Sequence, residues 1–303
     1  MNRTPGKGLL SAALAAGCLA LGGCGAIGTE ATSTELTDTT PDSGVPNVAD
    51  GKKAALLSAF FGLDNKLFQV ANLICSGAAG KDGMPVIFSA EIDHTTMQAG
   101  DFKVVTRSGK TGTIHCVSLL PATDAGELRT VLLIGEFGNA DSDPPARVEI
   151  AGNLLSIDGA LNFKGASVAV TPLAPGPTLV MAERVSGREV DKGLGLPRTK
   201  GSACPVKGTA QQIRVVWAGG VTLPGGDEPG DAERKQYKVT VAGTNGQTRG
   251  VIPVSLANLG DGDNNHVLCL DTADQALSVA FPGGILVDPN GDLNPPTAVA
   301  VAP

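Results

Sequence analysis

The sequence predicts an all-β protein, two tandem β-sandwiches behind a leader and a tether. Short runs rich in Val, Ile, Thr and Phe, bounded by Gly, Pro, Asp or Asn, recur along the chain. No segment after the leader has a long 3.6-residue period with caps. Six stretches also repeat in the same order, about 122 to 137 residues apart.

Composition sets the bounds. A chain of 303 residues allows about two domains. Hydrophobic residues make up 42% and charged ones 17%, enough for packed cores. Gly (41) and Pro (20) form about a fifth of the chain, short of the roughly 25–30% of low-complexity sequence, and suit a fold with many turns. Phe (8), Trp (1) and Tyr (1) are few, so stacking platforms for sugars or bases are sparse. A net charge of −7 speaks against nucleic acid, which requires basic surface.

Residues 1–23 read as a leader. Arg3 and Lys7 form a positive start, and "GLLSAALAAGCLALGG" (8–23) is an apolar run shorter than the roughly 20 residues of a comfortable span. It ends in "LGGC" (21–24), which resembles the bacterial lipobox. The resemblance implies cleavage before Cys24, diacylation of its sulfur, and a mature chain beginning there; Cys18, after "AAG", leaves with the leader. The plainer alternative is a secretory leader with a spare cysteine. Two acyl chains anchor stably, each buried CH₂ contributing about 0.8 kcal/mol. Losing Arg3 and Lys7 takes the net charge from −7 to −9. Gly25 stands where an Asp would retain a lipoprotein at the inner membrane, so in a Gram-negative cell the resemblance implies the outer membrane.

Residues 24–50 read as the lipid anchor and a flexible tether. They are rich in Thr, Asp and Glu and poor in large apolar side chains, too few to offset ordering entropy. As a coil, residues 25–50 span about 30 Å.

The duplication defines two units, 51–176 and 177–303. "SVAVTPLAP" (167–175) matches "AVAVAP" (298–303), and "DFKVVTRSGKTG" (101–112) matches "QYKVTVAGTNGQ" (236–247). "CVSLLPATDAGELRTVLLI" (116–134) matches "PVSLANLGDGDNNHVLCLD" (253–271). "VIFSA" (86–90) matches "VVWAG" (215–219), placing Phe88 opposite Trp217, and "ALLSAFFGL" (55–63) matches "PTLVMAERV" (177–185). Cys75 and Cys204 precede corresponding strands. Strands are expected at "PVIFSAEI", "DFKVVTRS", "RTVLLIGEF", "ARVEIAG" and "SVAVTPL", and again at "QIRVVWAG", "YKVTVAG", "HVLCLD", "LSVAF" and "TAVAVAP". "SGKTG" and "TNGQ" read as hairpin turns. In 54–74 the pattern fits helix and strand equally.

The first unit resembles bacterial immunoglobulin-like domains. The resemblance rests on "VIFSAEIDHTTMQAGDFKVVTRSG" (86–109) and on turns like "SIDGALN" (156–162) and "DPNGDLN" (288–294) before a last strand. It covers roughly 90 residues of unit one. Unit two departs from it, carrying "AGGVTLPGGDEPGDAERKQYKVTV" instead, and is assigned through the repeat. The resemblance implies a spacer, adhesion or accessory module without catalysis.

Four cysteines remain after the leader and anchor: Cys75, Cys116, Cys204 and Cys269. An even number in an exported chain implies disulfides. Of three connectivities, Cys75–Cys116 with Cys204–Cys269 keeps each bridge within a unit and is the expected one. Zinc is disfavoured, because no Cys-x₂-Cys or His-x₃-His spacing occurs.

Two stretches carry oxygen ligands at alternate positions: Asp261, Asp263 and Asn265, and Asp288, Asn290 and Asp292, followed by Asn294. They read either as weak calcium sites or as plain turns. Neither is an EF-hand, since Glu is missing at position 12, where Thr272 and Val299 stand. "SIDGALN" keeps the shape of "DPNGDLN" but not its ligands, and Gly159 and Gly291 are the shared element, as a turn needing positive φ requires.

Catalytic signals are thin. No G-x-S-x-G occurs. His94, His115 and His266 could act as bases only if the fold brought a Ser or Asp beside one of them. "EFGNADSDPP" (136–145) has carboxylates spaced like a glycosidase pair, and equally like a solvated loop. Trp217 reads as a core residue. The sequence therefore points to a lipid-anchored bacterial envelope protein, a non-catalytic binding, adhesion or spacer module for an envelope protein or polysaccharide. The alternatives are a calcium-dependent adhesion module and, last, a secreted hydrolase. No cofactor is implied beyond that weak calcium.

Overall fold

Alternating side chains in the first repeat become seven strands, and the same seven recur in the second. The computed structural model of the chain describes residues 38–185, 194 and 201–302. A small hairpin, β1 (Val48–Ala49) with β2 (Lys52–Lys53), turns through Asp50 and Gly51, both at positive φ.

The first repeat contributes β3 (Leu56–Phe60), β4 (Asp82–Phe88), β5 (Phe102–Thr106), β6 (Thr113–Ser118), β7 (Thr130–Glu136), β8 (Pro145–Ile150) and β9 (Ser167–Thr171). Their hydrogen-bonded order is β5-β8-β9-β3-β4-β7-β6. The second repeat contributes β10 (Leu179–Arg184), β11 (Gln211–Trp217), β12 (Lys238–Ala242), β13 (Thr248–Val251), β14 (Ser255–Ala257), β15 (Asn265–Leu270), β16 (Gln275–Phe281) and β17 (Thr297–Ala302). Their order is β13-β12-β16-β17-β10-β11-β15-β14. With the added edge strand β13 set aside, the two orders are the same.

The agreement extends to register. In each repeat the first strand runs parallel to the last, Ala59 beside Val170 and Ala182 beside Val301. Each first strand also carries a bulge one residue in, between Leu56 and Ser58 and between Leu179 and Met181. Phe88 pairs with Leu56 as Trp217 pairs with Leu179. The segment 54–74 resolves into β3 followed by a short 3₁₀ turn, Gln69–Leu73.

Each repeat encloses its own core. Met84, Val86 and Phe88 of β4 face Phe102 and Val104 of β5 and Val148 and Ile150 of β8, so the two wings of the strand array close on one apolar interior. Phe88 meets Phe102 and Phe163 edge to face. In the second repeat Ile213, Val215 and Trp217 fill the corresponding place with Val239, Leu268, Val279 and Phe281. Burying each such side chain contributes about 1.5–3 kcal/mol. The interior here is partly polar. Trp217 Nε1 donates to the Tyr237 hydroxyl at 3.0 Å, and that hydroxyl lies 2.8 Å from His266 Nδ1. Trp can only donate, so every hydrogen is satisfied when Tyr237 in turn donates to a neutral His266. Burial pushes His266 down to about 4.

The disulfides are Cys75–Cys116 and Cys204–Cys269, each within one repeat. Their second cysteines sit on non-corresponding strands, Cys116 on β6 and Cys269 on β15. The second half of the expected tether is tied down. Asp38 accepts from Thr40 N, Gln98 Nε2, Asn153 N and Asn153 Nδ2, and Thr39 Oγ1 donates to Gln98. Apolar content could not foresee this, because the contact is made by hydrogen bonds. Residues 1–37, with the leader and Cys24, lie outside the described residues.

Candidate functional site

Side chains on a strand alternate, so β11 sends Ile213, Val215 and Trp217 inward and Arg214 and Val216 outward. The outward set meets the first repeat. Val216 and Met181 pack on Ile87 of β4. Ile87 and Val216 occupy corresponding places in the duplicated strands, so like surface meets like.

Beside this apolar contact lies a buried polar cluster. Two corresponding loops form it, 119–129 before β7 and 258–264 before β15. Glu183 Oε1 accepts from Arg129 Nη2 and Arg214 Nη1, both at 3.1 Å. Arg129 also donates to Gly126 O and Met181 Sδ, and Arg214 to Ala125 O at 2.6 Å. Gly126 sits at φ +85°, and a Cβ there would collide with the Arg214 guanidinium, so both space and backbone demand glycine.

Glu127 is fully buried. It accepts from Asp124 N and from Asn258 Nδ2 of the second repeat. Asp263, 7% exposed, takes Asn265 N at 2.6 Å and Asn265 Nδ2 at 3.0 Å. Burial raises Glu228. Asp124 Oδ2 accepts from Gly201 N. Burial raises Glu127, and Arg214 only partly opposes it. Burial, then the charges of Glu127 and Asp261, hold Asp263 well above the usual carboxylate range. Asp261 is pushed to about 7 by burial and then by Glu127. Asp261 Oδ2 and Asn265 Oδ1 are buried without a hydrogen-bond partner among the described residues.

The structure thus brings Asp261, Asp263 and Asn265 together and adds Glu127, which sequence reasoning missed. Arg129, Glu183 and Arg214 were missed too. The available signal was Arg214 itself, a charge in the middle of the apolar run "QIRVVWAG". Asp288, Asn290 and Asp292 lie apart, in a turn that uses its own oxygens. Asp288 Oδ1 accepts from Asn290 N and Asp292 N, Asp292 Oδ2 accepts from Asn290 Nδ2, and Asn290 Oδ1 accepts from Lys66 Nζ. Its relative at 156–162 closes alike, with Gly159 N on Ser156 O where Gly291 N bonds Asp288 O, and both glycines at positive φ. Among the described residues no group of three or more His, Cys, Asp or Glu is arranged to hold a metal ion.

Asp288 also lines a groove of about 480 Å³ with Phe68, Val221, Val287, Pro289 and Asn290. Phe68 stands 58% exposed on its rim. The histidines are scattered. His94 is exposed, His115 Nε2 contacts Ser76 O at 2.7 Å, and His266 is in the core. Among the described residues none of the three is hydrogen-bonded to a serine hydroxyl or a carboxylate. In the 136–145 stretch Asp143 is held by Ser108 and Thr106 and Glu136 by Lys81.

No protein-family model matches the chain, and no curated protein matches it. Solved structures with some likeness include the N-terminal part of the bacterial S-layer protein SbsC, at 10% identity and a TM-score of 0.27, covering 82% of this chain and 44% of that one. A second, the S-layer protein rSbsC(31-844), has 10% identity and a TM-score of 0.28, covering 77% of this chain and 42% of that one. The chain spans less than half the length of either. At such TM-scores the likeness carries no argument.

Proposed function

We propose that the chain is a bacterial lipoprotein whose two immunoglobulin-like sandwiches form a non-catalytic binding or spacer module of the cell envelope. One observation carries the sandwich part of this reading: the same strand order and register occur twice. Lettering β3 to β9 as A to G in chain order gives C-F-G-A-B-E-D, the strand neighbours of a constant-type immunoglobulin sandwich with its ABED and CFG sheets. The anchor rests on the lipobox resemblance at Cys24. Residues 38–50 are held against the first sandwich, so this part of the expected tether is not a free one. Partners would be an envelope protein or polysaccharide, met by the inter-strand loops or the groove beside Phe68.

The anchor is tested by expressing the wild type and Cys24→Ala in bacteria fed labelled palmitate. The wild type should take up label and sediment with membranes, and the variant should do neither; equal behaviour removes the anchor. Binding is tested by crosslinking residues 38–303 to envelope extract. A captured partner lost on Phe68→Ala supports a binding module. Capture of nothing, with tethered partners displaced when the chain is deleted, favours the spacer. Turnover that disappears on replacing His94, His115 or His266 would overturn both.

A further inference from the structure

Residues 38–46 lie along the first sandwich without a side chain in its apolar interior. Ala49 is the first described residue that packs against that interior, and Ala54 the first inside it. What holds the segment is polar. Asp38 Oδ1 accepts from Gln98 Nε2 at 2.8 Å, and Asp38 Oδ2 accepts from Asn153 N at 2.9 Å and from Asn153 Nδ2 at 3.2 Å. Thr39 N and Oγ1 donate to Gln98 Oε1, Thr40 Oγ1 donates to Thr96 O, and Thr40 O accepts from Asn153 Nδ2. At the far end Pro46 O accepts from Asn162 N at 2.9 Å. We propose that residues 38–46 are a releasable strap, which opens as one unit while both sandwiches stay folded.

The balance of forces favours release here before any strand. Apolar burial is the main favourable contribution to folding, and the strap has little of it. Each of its hydrogen bonds is exchanged for one to water on opening, so each contributes little net. The groups uncovered are polar as well. Asn153 and Asn162 are 4% and 6% exposed beneath the strap, and Asn162 Nδ2 keeps its bond to Asn153 Oδ1 at 3.0 Å whether or not the strap is there. The seat also carries an opposing charge. A Cβ on Gly152 would meet both Asp101 Oδ1 and Asp38 Cγ, so two carboxyl groups face each other across this glycine. Asp101 Oδ1 has no hydrogen-bond partner among the described residues. Like charges so placed work against closure.

The hinge is Asn47. Its Nδ2 donates to Lys164 O, and its carbonyl accepts from Ala54 N at the base of the β1–β2 hairpin, so the hairpin stays behind when the strap leaves. Opened and fully extended, residues 38–46 reach about 30 Å. In the anchored spacer that length adds to the link between the membrane end and the first sandwich. The use of the strap therefore rests on that reading, and its opening does not.

Amide hydrogen exchange of the full chain at about pH 7, read residue by residue, tests this. Asn153 N and Asn162 N donate to opposite ends of the strap, and Phe88 N, which donates to Arg129 O, reports on the sandwich. Asn153 and Asn162 should exchange together, about 100-fold or more faster than Phe88 after correction for intrinsic rates. Asp38→Ala should speed both by about tenfold and leave Phe88 unchanged. Asp101→Asn removes the opposing charge and should slow both by about threefold. Exchange of the two amides at the rate of Phe88 overturns the strap, because the segment would then open only with the whole sandwich. A response to Asp38→Ala at Asn153 alone means that the end frays, and the single unit is wrong. Faster exchange of both amides in Asp101→Asn, with Phe88 unchanged, overturns it too. Palmitate uptake at Cys24 is a separate readout, so strap and anchor can fail independently.

Discussion

The two repeats share a backbone plan and differ in what they bury. The first stacks Phe88 edge-on to Phe102 and Phe163 in an apolar interior. The second strings Trp217, Tyr237 and His266 on hydrogen bonds and sets Phe281 against the first two. Strand order is thus insensitive to interior chemistry so long as volume is filled and every donor has an acceptor. The cost of disturbing each interior is not so indifferent.

Truncating the pivotal aromatics separates the repeats most widely. Trp217→Ala should destabilise by about 4–5 kcal/mol, because it opens a large cavity and leaves the Tyr237 hydroxyl without its donor. Phe88→Ala, with no polar partner, should cost about 3–4 kcal/mol. Urea denaturation of both checks the order, and equality would mean the hydrogen-bonded string adds nothing. Next come the disulfides. Replacing both cysteines of either pair by serine should cost about 4 kcal/mol in the chain-entropy picture. The Cys204–Cys269 variant should lose slightly more, since it closes a 65-residue span against 41 and Cys269 is fully buried.

Acid should then act with opposite sign on buried groups of the two interiors, His266 in one and Asp82 and Asp101 in the other. His266 is held near 4, so the unfolded chain takes up its proton first. The stability from neutral His266 is full above its ordinary value near 6.5 and is lost as pH falls towards 4. In the first repeat burial raises Asp82 and Asp101 to about 6, so their contribution is full below about pH 4 and lost as pH rises through 6. Urea midpoints of His266→Gln and Asp101→Asn between about pH 4 and 6.5 should each flatten one slope, with opposite sign. The smallest contrast is at the surface. Lys81→Ala, which breaks the pair with Glu136, and Arg249→Ala, which breaks the pair with Asp274, should each cost under about 1 kcal/mol.

Much of the framework was legible. Val, Ile, Phe and Trp run together in "PVIFSAEI" and "QIRVVWAG", as in strands covered on both faces, and those runs became β4 and β11. The turns at 156–162 and 288–294 were readable from glycines that must reach positive φ. The edge strands β13 and β14 were not anticipated. They are short and partly solvated, and "TRGV" and "SLA" carry no alternation strong enough to mark them. The junction was hidden for another reason. Glu127 and Asp263 are 136 positions apart, and a loop carboxylate looks solvated until a partner covers it. Only the charge of Arg214 inside an apolar run hinted that a second surface was waiting there.

The pairing of first and last strands has a mechanical consequence. In each repeat the chain enters along β3 or β10 and leaves along β9 or β17, side by side and pointing the same way. A pull on the two ends of a repeat therefore loads those backbone hydrogen bonds in shear, all at once, instead of unzipping them one by one. A body hung from a surface by one end and held by a partner at the other would be strained along its most resistant direction.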